Sequence, residues 1–151
     1  MKILIVYDSV FGNTAKLAQA VAKALDSKAV KVSECTEADL QSLDMLIAGA
    51  PTRMFKPMSS MKASIKGLPD NSLKGVKVAA FDSRFAVEES DSKMLSFMAN
   101  KFGYAAEKML KGLEKKGGTA AAEPIGFFVS GNEGPIVKDE EKRAAAWAKS
   151  L

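Results

Sequence analysis

The sequence predicts an α/β protein in which a parallel sheet carries helices on both faces. Three observations lead there. Apolar runs of strand length, led by Ile3–Tyr7 and Asp44–Ala50, lack the in–out alternation of a half-exposed strand and read as buried on both faces. Stretches of helical periodicity separate such runs, so strand and helix alternate five times along the chain. The 151 residues suffice for one domain, and no repeat, low-complexity tract or Pro/Ser-rich linker divides them.

Lys2–Tyr7 is the first strand and ends in turn residues. Thr14–Asp26 follows as a helix with Ala18, Val21, Ala22 and Leu25 on one face and Lys16 and Lys23 off it. Lys28–Ser33 reads as the second strand. Thr36–Asp39 can open a short helix as a capping box with Asp in place of the usual Glu. Asp44–Ala50 is the third strand and Pro51–Pro57 a loop. Met58–Gly67 is helical and stops at Gly67 and Pro69.

Gly75–Asp82 makes the fourth strand and Ser83–Asp91 a loop. Ser92–Lys116 is mostly helical, interrupted near Gly103, with Ala105, Met109 and Leu113 as its later apolar stripe. Thr119–Val129 is the fifth strand, where Pro124 marks an edge or a bulge. Ser130–Pro135 turns the chain into a last helix, Lys138–Leu151, with Ala144, Trp147 and Leu151 inward.

Composition excludes several chemistries. There is no histidine, so imidazole metal sites and Ser-His-Asp or Cys-His pairs are out. One cysteine, Cys35, rules out an internal disulfide, a Cys-x-x-Cys pair and an iron–sulfur cluster held by this chain alone, and it reads as a structural thiol. Redox or group-transfer chemistry would need a bound cofactor. The net charge of +4 comes from lysines spread along the chain; with three arginines, two tyrosines and no basic run beyond two residues, nucleic-acid binding is not expected. Ile3–Tyr7 is too short for a secretory or membrane segment, so a cytoplasmic protein with no membrane association is expected.

Open parallel sheets bind ligands beyond the carboxyl ends of their strands, which points to Asp8–Thr14, Pro51–Pro57 and Ser83–Asp91. In the first, Ser9, Asn13 and Thr14 offer polar groups, Gly12 permits close backbone approach, and the following helix aims its N–H groups at the loop. The pattern suits either a phosphate cradle or a plain N-cap by Asn13 or Thr14. There is no G-x-x-x-x-G-K and no G-x-G-x-x-G after a strand. The third strand ends in Ala50-Pro51, without the aspartate a phosphoacceptor domain would need. Asp8 and Asp82 read as strand-end residues bonding local backbone.

Ser9-Val-Phe-Gly-Asn-Thr14 after a first strand resembles the phosphate loop of flavodoxins, usually Ser/Thr-x-Thr-Gly-x-Thr. Asp44–Arg53 is similar to the family's third strand and second flavin-contacting loop, and Phe81–Phe85 sits where the third loop belongs. Phe127–Pro135 and the last helix with Trp147 also resemble members of this length, so the likeness covers the whole chain. It implies a doubly wound five-stranded sheet in the order 2-1-3-4-5, of the short-chain type with no insertion in the fifth strand, and one noncovalently bound FMN.

Carried over by residue, Ser9, Gly12, Asn13 and Thr14 match phosphate contacts, with Val10 and Phe11 offering backbone donors only. Pro51, Thr52, Arg53, Met54 and Phe55 match the loop on one side of the isoalloxazine ring; Ser83, Arg84 and Phe85 match the other. Three departures stand out. No Trp or Tyr occupies the two ring loops, leaving Phe55 and Phe85 as stacking aromatics or core. The second loop has no glycine. The chain is basic where flavodoxins are usually acidic, so it is expected to prefer acidic partners or to dock through Glu88, Glu89 and Asp91; Arg53, Lys56 and Arg84 are the cations placed to face the flavin rim, or else they point into solvent or pair with Asp8, Asp82 or Glu88.

The resemblance implies an electron carrier working with two redox protein partners, a reductase and an acceptor, as a monomer or weak dimer. An FMN-dependent NAD(P)H:quinone oxidoreductase is the alternative, suggested by the Pro-Thr-Arg loop and the Val-Phe pair, although such chains are longer. A fold module without FMN is the third reading.

Overall fold

A computed structural model describes residues 1–52, 59–85, 104–131 and 134–151. The apolar runs become β1 (Ile3–Tyr7), β3 (Met45–Pro51) and β4 (Lys77–Phe85), which pair in parallel at the centre of the sheet. Ile5 lies beside Ile47 and Ile47 beside Ala79. β2 (Lys28–Lys31) flanks β1, while β5 (Thr119–Ala120) and β6 (Ile125–Val129) both pair with β4. The strand order is 2-1-3-4-5, with β6 continuing the fifth position.

Helices α1 (Asn13–Ala24) and α4 (Glu140–Lys149) cover one face; α2 (Ser59–Lys66) and α3 (Ala105–Lys115) cover the other. Strands buried this way alternate between two cores. Leu4, Leu46, Val78 and Ala80 meet Met61, Met109 and Leu113, while Ile5, Ile47 and Phe81 meet Leu17, Val21 and Ala144. Phe81, Phe127 and the half-buried Trp147 form a triangle of edge-on rings with centroids 5.9 to 6.2 Å apart. Trp147 is therefore core, as its helical spacing predicted. The Phe81 ring needs Gly49 across the sheet, because a Cβ there would overlap it.

Several boundaries differ from expectation for local reasons. β4 runs three residues past Asp82, to Phe85, because β6 pairs alongside it, Ser83 with Phe127 and Phe85 with Val129. Ser83, Arg84 and Phe85 are thus strand residues rather than loop. The fifth strand breaks at residues 121–124, around Pro124, which has no N–H for a ladder. β2 stops at Lys31 and gives way to a 3₁₀ turn, Val32–Glu34. The Thr36–Asp39 capping box forms reciprocally: the Asp39 carboxylate accepts Thr36 N–H at 2.9 Å and Thr36 Oγ1 accepts Asp39 N–H at 3.3 Å. The helix it starts is only one 3₁₀ turn, Ala38–Leu40. The last helix begins at Glu140 rather than Lys138 because Asp139 is left-handed, with φ +70°.

Of the expected Ser92–Lys116 helix, residues 92–103 lie outside the described residues, as do most of the second and third loops. Among the described residues, no helix is long and apolar enough to cross a membrane.

Candidate functional site

The carboxyl ends of β1, β3 and β4 bring Asp8–Thr14, Pro51–Thr52 and Ser83–Phe85, the described parts of the three segments singled out in the sequence, to one edge. β1 delivers Asp8, whose N–H donates to Gly49 O at 2.9 Å and whose side chain is buried. One Asp8 oxygen accepts Ser9 N–H at 3.0 Å; the other accepts the Ser60 hydroxyl of α2. Ser9 Oγ then accepts Gly12 N–H at 3.1 Å, closing the loop into a tight ring.

Gly12 occupies the N-cap position of α1 with φ +92°, a conformation that a Cβ would strain, and no side chain caps the helix. The alternative of Asn13 or Thr14 as an N-cap is therefore overturned: both lie inside the helix. The backbone N–H groups of Val10, Phe11, Thr14 and Ala15 find no acceptor among the described residues. Free N–H groups gathered at a helix N-terminus favour an anion both by hydrogen bonding and by the helix dipole. A terminal phosphate fits this cradle without a lysine. Val10 and Phe11 project outward, about half exposed, and contribute backbone only.

Hydrogen bonds bind the three segments together. Thr14 Oγ1 and Ser83 Oγ, both buried, lie 2.8 Å apart. Ser83 O accepts Thr52 N–H at 2.9 Å, at the position where Pro51 pairs with Ser83 across the sheet. Thr52 Oγ1 accepts Ala105 N–H at 3.0 Å, capping α3 from a distance in place of Tyr104, which supplies no side-chain cap. Asn13 packs against the last turn, where a Cβ on Gly134 (φ +94°) would run into its amide.

Arg84 takes the second of its two expected roles, pairing with Asp82. Its guanidinium grips the fully buried Asp82 with two bonds, Nε to Oδ1 at 2.6 Å and Nη2 to Oδ2 at 2.8 Å, and lies 3.7 Å from the Tyr104 ring centroid. Asp82 also accepts Ala106 N–H at 2.9 Å. Positions two apart on a strand share a face, so Asp82 and Arg84 must meet. Arg84 is thus a compensated ion-pair member and not a bare cation facing a flavin rim. Asp82 also bonds a distant helix rather than neighbouring backbone. Phe85 is exposed at the strand end and is not core. Arg53, Met54 and Phe55, together with Lys56, Glu88, Glu89 and Asp91, lie outside the described residues.

The sequence matches the Flavodoxin domain family over residues 4–128. The chain belongs to the flavodoxin family. It is a flavodoxin-family electron-transfer protein, and flavodoxins bind FMN noncovalently and exchange electrons with redox protein partners. Its fold is similar to a flavodoxin from the domain Archaea (TM-score 0.77, 17% identity, covering 98% of this chain and 94% of that one). It is also similar to oxidised flavodoxin 1 from Bacillus cereus (TM-score 0.75, 18% identity, 99% and 96% covered). A short-chain flavodoxin associated with a non-canonical PDU bacterial microcompartment gives a TM-score of 0.71 at 19% identity, with 100% and 97% covered. No curated protein matches the sequence.

Two members of this edge were not singled out from the sequence. Tyr104 sits beside Arg84 at the start of α3. Ser60 reaches Asp8 from α2. Nothing local in the sequence brings either to its neighbour: Tyr104 lies 20 residues from Arg84, and Ser60 52 residues from Asp8.

Proposed function

We propose that this chain binds one FMN, with the phosphate in the Ser9–Thr14 loop, and carries electrons between a reductase and an acceptor protein. The observation that carries this reading is the N-terminus of α1 behind left-handed Gly12, which no side chain caps. Bound FMN would supply one- and two-electron redox chemistry. The protein's part is positioning. Ser9 holds the loop closed through Gly12, the Thr14–Ser83 hydroxyl pair fixes the first loop to β4, and Thr52 fixes the second loop to α3.

Pro51 and Thr52 with Arg53, Met54 and Phe55 would flank the ring on one side, and Ser83, Arg84 and Phe85 on the other. Exposed Val10, Phe11 and Phe85 line this edge with apolar surface of the kind that covers a planar ligand or meets a partner. The Asp82–Arg84 pair leaves little net charge at the end of β4. A cytoplasmic monomer fits this reading.

The test is a visible spectrum of the purified protein and a titration with FMN followed by flavin fluorescence. Bound flavin bands and saturable quenching are expected, with Ser9→Ala and Gly12→Ala each weakening FMN by about tenfold, or ~1.4 kcal/mol. A colourless protein that leaves FMN fluorescence unchanged would refute the proposal.

A further inference from the structure

Away from the strand-end edge, α2 and α3 lie side by side and enclose a groove of about 750 Å³. Its walls are lysine: Lys62 and Lys66 from α2, Lys108, Lys111 and Lys115 from α3, and Lys116 just beyond. The spacing makes this a stripe, since residues three and four apart share a helix face. Among the described residues that line the groove the one carboxylate is Asp70, 3.5 Å from Lys116. With Lys108 left aside, five lining lysines against Asp70 give the groove a formal charge of +4, equal to that of the whole chain. The rest of the sequence is close to neutral, and its basic character is concentrated here.

The floor is apolar and narrow. Ile65 lies between the helices against Gly112, where a Cβ would approach Ile65 Cγ2 to 2.9 Å. Gly112 thus lets Ile65 of α2 pack directly against α3. Lysine stems extend the apolar floor while their ammonium groups rim it.

We infer that this groove is a docking surface for an acidic segment of a partner protein, one presenting glutamates or aspartates on either side of an apolar residue. Charge complementarity selects that occupant. Duplex or single-stranded nucleic acid would call for arginines and stacking aromatics, and the lining has neither. A membrane surface would call for large exposed apolar side chains beside the lysines; those exposed among the described residues are Met1, Val10, Phe11, Phe85 and Val137, none of them on α2 or α3. A small phosphate ligand would call for converging backbone N–H groups or guanidinium forks, and the groove presents helix flanks with point-charge ammonium groups. The surface is separate from the phosphate loop, so docking there does not depend on bound flavin.

The experiment uses the whole chain and a fluorescein-labelled peptide with glutamates flanking leucines at helical spacing, followed by anisotropy at about 0.15 M salt. One variant carries Lys62→Glu, Lys66→Glu, Lys111→Glu and Lys115→Glu. A control with equal charge change carries Lys23→Glu, Lys31→Glu, Lys77→Glu and Lys149→Glu. Glutamine versions of the four groove substitutions, checked by circular dichroism, guard against misfolding. The groove variants are expected to weaken peptide binding by at least about tenfold and the control by less than about twofold. Equal losses in groove and control variants would overturn the proposal, as would a wild-type preference for duplex DNA or phosphatidylserine vesicles over the peptide.

Discussion

Asp82 shows how a single residue joins the core to the site. It is fully buried, yet both its oxygens are used, by the Arg84 guanidinium and by Ala106 N–H. A buried carboxylate so placed is costly to disturb, because removing one charge strands the other. Asp82→Asn should destabilise the fold by about 3 kcal/mol or more in urea denaturation, with a smaller loss in Asp82→Asn/Arg84→Gln. Equal losses in the single and double variants would show that the two side chains do not act as a pair. This pairing was readable from the Asp-x-Arg spacing once the strand was known to continue. With the strand ended at Asp82 it stood only as one of three candidate pairings, since the two residues then belonged to different elements. Gly12, by contrast, was legible directly: a glycine between a buried strand and an amphipathic helix had few other uses.

At the scale of elements, α4 is held to β6 by one polar cluster. Glu140 accepts Phe128 N–H at 2.7 Å and the Arg143 guanidinium through both oxygens at 2.7 Å, while Arg143 reaches Gly126 O and lies 4.6 Å from the Phe127 ring centroid. The Arg143 hydrogen bond, with help from Phe128 N–H and against the opposing effect of burial, holds the Glu140 carboxyl below its usual range. A folded pKa below the unfolded value of about 4.3 means a contribution complete above that pH and lost as pH falls through the folded value. The wild type should therefore lose more stability between neutral pH and pH ~3 than Glu140→Gln does, measured by urea unfolding at both pH values. Parallel losses would remove Glu140 from the acid response.

Element types and order followed from apolar runs and helical periodicity, because burial on both sheet faces leaves an unmistakable pattern. Ends did not follow, since they depend on neighbours. β4 lengthens only because β6 lies beside it, and α3 takes its cap from Thr52, 53 residues earlier.

For the whole molecule, the sheet acts as a partition. One core closes with Phe81, Phe127 and Trp147, remote from the Asp82–Arg84 face. Trp147→Ala should cost about 3 kcal/mol, at the lower end for aromatic truncation because the ring is half-buried, and should leave FMN affinity unchanged while the protein stays folded. A folded variant with altered flavin affinity would break the separation of core and site. The sheet order followed from the family likeness. The lysine groove did not, because its members come from helices about forty residues apart and look like scattered surface charge in the sequence. The central claim is that the Gly12 loop recognises a phosphate. It is tested most directly by titrating the same flavin-free protein with FMN and with riboflavin, which differ only in that group. The account predicts that FMN binds at least about a hundredfold more tightly, the worth of two charge-assisted hydrogen bonds or more. Equal affinity for the two flavins would contradict it.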